Sequence, residues 1–351
     1  MIEDFLFDFR MIGPNHPPYI VAEMSGNHNG DISRAFAILE AAKEAGADAV
    51  KIQTYTADTI TIDHDGPGFT IEGGIWNGRT LYDLYKEAHT PWEWHEPLFE
   101  KAHELGITLF SAPFDSTAVD FLESFHPPAY KIASFEAIDL PLITKTASTG
   151  KPLIISTGMA DLGEIKDAID AARNAGATDI LVLHCVSGYP APIGDCNLAT
   201  IPDLSKRFAV ATGLSDHTEG ITVPIAAVAQ GAVMIEKHVT LRRSDGGPDA
   251  AFSIEPKELK HLVDGVHTAW EAIGQPHYDR KESEKGNVIF RRSLYIVRDI
   301  AAGEKFTFSN VRSIRPGHGL LPKHLPNVIG RRANRNLKRG EPLEFSMIQE
   351  N

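Results

Sequence analysis

Eight short apolar runs, each followed by a stretch of helical periodicity, constrain this chain more than any other feature. The runs occupy residues 19–24, 48–54, 108–114, 129–135, 152–157, 180–186, 209–214 and 233–239. Helical patterns fall between and after them, at 32–45, 81–89, 91–105, 117–125, 140–149, 162–175, 198–208, 220–230 and 256–273. The runs are continuously apolar rather than alternating, as expected of parallel strands buried on both faces. Eight strand–helix units in about 250 residues predict a (β/α)8 barrel, a TIM barrel, rather than an open doubly wound sheet. No GxGxxG follows the first run, so a dinucleotide-binding sheet loses its main signature.

The barrel is expected over residues 1–273. Residues 274–287 are almost free of apolar side chains and read as a linker, and 288–351 read as a small β-rich domain. Two similar turns in that domain, IAAGE at 300–304 and LKRGE at 337–341, form a weak internal echo. Net charge is −13 but uneven: from residue 288 onward there are 12 Lys/Arg against 5 Asp/Glu, +7, which leaves 22 against 42, −20, for the rest. The basic tail is either a solvated surface or the lender of a cation to an anionic substrate held by the larger part. It forms no long basic stripe, and the larger part would repel phosphates, so nucleic acid binding is not expected. No uncharged apolar run approaches the roughly 18 residues of a membrane span. The start, MIEDFLFDFR, carries acids and lacks the basic-then-apolar pattern of a secretory signal. Two cysteines, Cys185 and Cys196, cannot build a disulfide framework, and a reduced, cytoplasmic setting is expected.

In a barrel of this kind the chemistry gathers at the C-terminal ends of the strands. Here those ends are crowded with polar residues: Glu23, Asn27 and His28; Lys51, Gln53 and Thr54; Ser111; Lys131, Ser134 and Glu136; Ser156 and Thr157; His184 and Ser187; Ser215, Asp216 and His217; Glu236 and His238. Lys51 and Lys131 lie within apolar strands, where an unpartnered ammonium is costly. They are salt-bridged to a neighbouring strand, or converge on a phosphate or carboxylate, or one of them forms a Schiff base. His217 and His238 end adjacent strands and can converge on a divalent metal; two protein nitrogens suit Mn²⁺ or Mg²⁺ as a Lewis acid better than structural zinc. Glu23, Glu136 and Asp249 are candidates to orient water or move protons.

These motifs, AEMSGNHNG, KIQTYT, FSAPFD, YKIAS, STGM, GLSDHT and EKH in that order, resemble the sialic acid synthase family. The tail, notably RPGHGLLP, resembles its antifreeze-like (SAF) domain. The resemblance runs from about residue 19 to residue 347. It implies an enzyme that condenses phosphoenolpyruvate with an acyclic N-acetylated sugar aldehyde, using Mn²⁺ (or Mg²⁺ or Co²⁺). By resemblance Lys51, Lys131, Ser134, Ser156 and Ser215 hold phosphoenolpyruvate, with Gln53 and Ser111 beside them. His217 and His238 bind the metal, Glu23 positions or activates a water, and Glu136 contacts substrate. Ser187, Tyr189 and Asp249 lie where the sugar binds. Arg315, in RPGHG, reaches into a partner subunit's site, which implies a domain-swapped homodimer.

Within the family, SGYP at 187–190, Ala112, and the stretch GGIWNGRTLYDLYKEAHTPWEWH at 73–95 resemble the branch that makes pseudaminic acid rather than N-acetylneuraminic or legionaminic acid. The expected sugar is then 2,4-diacetamido-2,4,6-trideoxy-L-altrose. A Schiff-base aldolase using Lys131 is a rival. A non-catalytic polysaccharide- or ice-binding role has only the antifreeze-like tail behind it, and RPGHG supplies no regular Thr- or Ala-rich face. Trp76, Trp92 and Trp94 pack either a lid formed by the insertion at 66–95 or a satellite core. His16, His89 and His95 read as surface or loop residues.

Overall fold

The computed structural model describes residues 4–350, which fall into two compact units divided between Gly274 and Gln275. The chain opens with a hairpin the apolar runs did not announce: β1 (Phe5–Phe7) pairs antiparallel with β2 (Arg10–Ile12). Eight parallel strands follow and close into a barrel. They are β3 (Tyr19–Glu23), β4 (Ala49–Thr54), β5 (Thr108–Pro113), β6 (Tyr130–Ile132), β7 (Leu153–Ser156), β8 (Ile180–Cys185), β9 (Ala211–Asp216) and β10 (Met234–His238). β10 closes on β3 with Met234 opposite Tyr19 and His238 opposite Glu23.

The pleat decides which side chains enter the barrel, because successive residues point to opposite faces. Tyr19, Val21, Ala49, Phe110, Ala129, Ile154, Leu181, Leu183, Ala211 and Met234 fill the interior. Their alternates, such as Ile20, Ala22, Val50, Ile52, Leu214 and Ile235, pack outward against the helices. Gly213 is required by closeness: a Cβ there would lie 2.3 Å from the carbonyl oxygen of Met234. The hairpin plugs the N-terminal end of the barrel. Phe7 is fully buried and meets the rings of Tyr19 and Phe110 edge to face, at 5.0 and 5.5 Å. Asp48 secures the plug by pairing with Arg10 while accepting a hydrogen bond from the Ile20 amide. That end is therefore closed, and a site can open only at the other.

The helices follow the expected pattern. Asp31 caps the helix Ile32–Ala45 and Gly46, at φ 89°, ends it. Asp161 and Glu164 form a capping box on Leu162–Asn174. The long connection after β4 is more ordered than its polarity suggested. It holds a short helix (Ala57–Ile60), a turn pinned by pairing of Thr70 with Thr80, and a helix (Leu81–Ala88) capped by Thr80. Gly26, in the loop after β3, lets the helix Leu81–Ala88 approach closely, since a Cβ there would sit 3.1 Å from Ala88.

In the second unit β11 (Ser293–Ile296) pairs antiparallel with β12 (Val311–Ile314). Leu294, Ile296, Phe306, Val311, Val328 and Leu343 form its core. The internal echo has a structural meaning: Ile300 and Leu337 exchange backbone hydrogen bonds of 2.9 and 2.8 Å. In each copy the glutamate accepts from an amide three residues earlier, Glu304 from Ala301 and Glu341 from Lys338, and the glycine before it takes a positive φ.

Between barrel and helices lies one ion pair, Lys237 with Asp216 at 2.5 Å, at 1% and 2% exposure. Lys237 also donates to the carbonyl of Thr218. Removing one partner of such a pair strands the other charge. Lys237→Met is therefore expected to destabilise the barrel unit by about 3–5 kcal/mol. The double change Lys237→Met, Asp216→Leu is expected to recover most of the loss. Urea unfolding followed by tryptophan fluorescence checks this, since all four tryptophans (Trp76, Trp92, Trp94 and Trp270) belong to the barrel unit.

Candidate active site

At the open end of the barrel a cavity of about 510 Å³ is lined by residues from β3, β4, β6, β7, β9 and β10 and from the loops that follow the strands. Register brings the charged residues level: Glu23 lies opposite Lys51, Glu236 opposite Ser215, and His238 opposite Glu23. The pleat turns all of these inward. Lys51 pairs with Glu23 at 2.7 Å and lies 3.6 Å from Glu236. Lys131 and Ser215 both donate to Glu236 Oε1, each at 3.3 Å. One carboxylate oxygen thus sits among three donors contributed by three strands. Gln53 donates to Glu23 Oε1 at 2.9 Å and reaches Ser25 Oγ at 3.1 Å.

Lys51, Lys131, Glu23 and Glu236 are each at most 4% exposed. Burial raises Glu23 above the usual carboxylate range, against the pull of Lys51. Burial also opposes charge on Glu236, but the ammonium groups of Lys131 and Lys51 outweigh it and hold that carboxyl low. Lys51, desolvated but flanked by Glu23 and Glu236, stays above the ordinary lysine value. Lys131, whose burial is only partly offset by Glu236, is held below it. The salt-bridge reading of the two lysines therefore holds, since they are paired across strands, and both also face the cavity. Glu136, after β6, is pushed up to about 7 by burial, and its Oε2 has no hydrogen-bond partner.

His217 and His238 come together with ring centroids 5.3 Å apart. The Nδ1–H of His217 can donate to the Val186 carbonyl at 3.0 Å, which frees Nε2 as a ligand. His238 Nδ1 is buried with no hydrogen-bond partner, and burial holds its ring neutral, the form a metal ligand needs. The pair thus fits a divalent cation. Among the described residues no three His, Cys, Asp or Glu side chains gather as a ligand set, so two nitrogens would be the protein's share. Phe252 packs on His238 at 4.9 Å and Tyr189 on His217 at 4.5 Å. Asp249 accepts a hydrogen bond from Ser25, and burial raises its carboxyl.

Of the residues singled out from the sequence, Glu23, Lys51, Gln53, Lys131, Ser134, Glu136, Ser156, Tyr189, Ser215, His217, His238 and Asp249 line this cavity. Ser187 lies just behind: a Cβ on Gly158 would lie 2.1 Å from its Oγ and 2.7 Å from that of Ser134. Ser111 is misplaced by the sequence reading. The pleat turns it outward, where it bonds Thr54 at 2.6 Å and the Ile52 carbonyl, fully buried. The same alternation removes Thr54, His184 and Asp216 from the cavity. His95 is no surface residue either; it is buried and bonded to Thr54 at 2.7 Å. Asn27 is tied to Val239 and Ser253. Arg315 lies in the second unit, where with Arg291 and Arg292 it lines a separate open cavity of about 590 Å³. Trp76 lines the barrel cavity as the lid reading expected, whereas Trp92 stacks on Phe121 and Trp94 packs on His28, as a satellite core would. Ser25, Tyr55 and Tyr85 also line the cavity and were missed: Ser25 and Tyr55 sit just past the ends of β3 and β4, whereas Tyr85, on the helix Leu81–Ala88, had no strand-end position to reveal it.

A closed parallel barrel with its ionisable groups gathered at one end is the architecture of an enzyme. The chain belongs to the NeuB family, the sialic acid synthases: that family's profile matches residues 38–278, and a SAF domain matches 291–349. It is 45% identical over 335 residues to the pseudaminic acid synthase of Helicobacter pylori, covering 95% of this chain and 98% of that one. It is 38% identical to the N,N'-diacetyllegionaminic acid synthase of Legionella pneumophila, with 94% of each chain covered. The crystal structure of the N-acetylneuraminic acid synthetase from Leptospira borgpetersenii, in complex with citrate, superposes with a TM-score of 0.74 at 31% identity, over 82% of this chain and 96% of that one. The chain is thus a carbon–carbon bond-forming synthase of this family.

The raised Glu136 carboxyl makes a testable demand on stability. Its folded pKa of about 7 lies above the ordinary value of ~4.3, so between the two the folded state binds more protons than the unfolded. Stability from this group is then lost as pH rises through that window. Relative to Glu136→Gln, the wild type is expected to lose up to about 3 kcal/mol between pH ~4.3 and 7, less where water reaches the carboxyl, and nothing further above. Urea unfolding of both proteins across this range checks it; a difference independent of pH would contradict burial as the cause.

Proposed function

We propose that this enzyme is a pseudaminic acid synthase, condensing phosphoenolpyruvate with 2,4-diacetamido-2,4,6-trideoxy-L-altrose and water to give pseudaminic acid and phosphate. The observation that carries the reaction class is the pair of buried lysines, Lys51 and Lys131, gathered on one carboxylate beside His217 and His238. The higher identity to pseudaminic acid synthase, 45% against 38% for the legionaminic relative, favours the sugar.

Lys51 and Lys131, with Ser134, Ser156 and Ser215, are suited to hold the phosphate and carboxylate of phosphoenolpyruvate. In a water-poor cavity fixed ammonium groups stabilise charge more strongly than in bulk solvent. A divalent cation held by His217 and His238, with Mn²⁺ the first candidate, would polarise the sugar's aldehyde oxygen. Carbon 3 of phosphoenolpyruvate attacks the aldehyde carbon, and Glu136, poised near neutrality, supplies the proton for the new hydroxyl. Water adds at carbon 2 with its proton passing to Glu23, which Lys51 and Gln53 hold in place. The tetrahedral adduct then expels phosphate. Asp249 and Tyr189 orient the sugar. Arg315 is proposed to complete the site of a second subunit in a domain-swapped homodimer.

Phosphate release from phosphoenolpyruvate with Mn²⁺ tests the reading. Release with the altro sugar, and little with N-acetylmannosamine or the diacetamido mannose of the legionaminic branch, is expected. Preference for either of those sugars would keep the reaction and overturn the substrate. Separately, His217→Ala is expected to abolish Mn²⁺ binding in calorimetry while leaving the fold intact; unchanged binding would refute the metal role.

A further inference from the structure

The cavity has two chemically different sides. One is the charged floor just described. The other is built mainly by one segment, the connection after β4, with Phe114 packed on its Tyr55. From residues 55–88 it contributes Ile60, Ile71, Trp76, Leu81, Leu84 and two tyrosines, Tyr55 and Tyr85, to the lining, and no charged side chain. The wall is held as a unit. Tyr55 and Tyr85 pack edge to face at 5.8 Å, and the helix Leu81–Ala88 sets Ala88 against Gly26 in the loop after β3.

Trp76 ties this wall to the sugar side of the site. Its indole N–H donates to the carbonyl of Pro248, next to Asp249, at 2.8 Å. Its ring lies 5.4 Å from that of Tyr189 and 6.5 Å from that of Phe252. With the indole donor committed to Pro248, the side chains of the wall offer an incoming hydroxyl only two phenol groups.

We infer that the apolar wall from residues 55–88 is the specificity element of the site, selecting a sugar with a methyl group where other sugars carry a hydroxymethyl. A methyl pressed against Ile60, Ile71 and Leu84 loses only unfavourable hydration. A hydroxyl pressed against those three side chains gives up its water hydrogen bonds and finds no replacement from them; only the Tyr55 and Tyr85 phenols could offer one. The inference rests on the reading of the substrate as a 6-deoxy diacetamido sugar, and it locates the discrimination in Ile71 and Trp76 rather than in the charged floor.

The test compares two sugars that differ only at carbon 6, the 6-deoxy diacetamido altrose and its 6-hydroxy counterpart, with phosphoenolpyruvate and Mn²⁺ held saturating. The full-length wild type is expected to favour the deoxy sugar in kcat/KM by roughly 10- to 200-fold, the range one apolar group commands. Ile71→Ser and Trp76→Ala, both at half-buried positions, are expected to narrow that ratio at least fivefold with the KM for phosphoenolpyruvate unchanged; circular-dichroism melting verifies that each variant folds. Ratios that stay within about twofold of the wild type in both variants, or a wild type indifferent to carbon 6, would overturn the inference while leaving the reaction standing. A wild type that turns over neither altro sugar but accepts another would overturn the substrate reading and the inference with it.

Discussion

The structure depends on one shared carboxylate. Glu236 Oε1 takes Lys51, Lys131 and Ser215 from three other strands of the barrel, and it does so where burial would otherwise disfavour every charge involved. Remove that oxygen and two ammonium groups face each other across an apolar barrel. The arrangement explains why two lysines can lie within strands that are otherwise largely apolar. It also sets the polarity of the molecule: the hairpin with Phe7 closes one end, so the charges can meet solvent and substrate only at the other. Maintaining four buried charges in near balance, with further polar atoms such as Ser156 Oγ and His238 Nδ1 left without partners, is a configuration suited to receiving a ligand rather than to maximising stability.

The fold was legible because its signal repeats. Eight continuous apolar runs, each followed by a helical pattern, admit few architectures, and helix ends such as Asp31 and Gly46 carry their own chemistry. What the runs could not show was the hairpin at residues 5–12. Its three-residue strands are too short for periodicity, and it is fixed by tertiary contacts of Phe7 and by the Arg10–Asp48 pair. Likewise the polar connection after β4 concealed an ordered wall, since Ile60, Ile71 and Trp76 are scattered among residues that face solvent.

The site was legible by position and blurred by the pleat. Placing polar residues at strand ends found the lysines, the histidines, Glu23, Glu136, Ser134, Ser156 and Ser215. It also admitted Ser111, Thr54, His184 and Asp216, which a one-residue step turns toward the helices. Phe110 and Ala112 face inward, so Ser111 must face out; the apolar residues of each strand held that information, but only once the inner and outer cores were separated. Asp216 and Lys237, adjacent in sequence to His217 and His238, show the same rule at work, one pair outside the barrel wall and the other inside.

The central claim is that the two lysines on Glu236 form the anion site. A crystal structure with phosphoenolpyruvate tests it most directly. The account predicts the phosphate or carboxylate oxygens of the ligand within hydrogen-bonding distance of Lys51 Nζ and Lys131 Nζ, with Ser215 and Ser156 alongside. A ligand bound elsewhere in the barrel, with both lysines still paired only to Glu23 and Glu236, would contradict it.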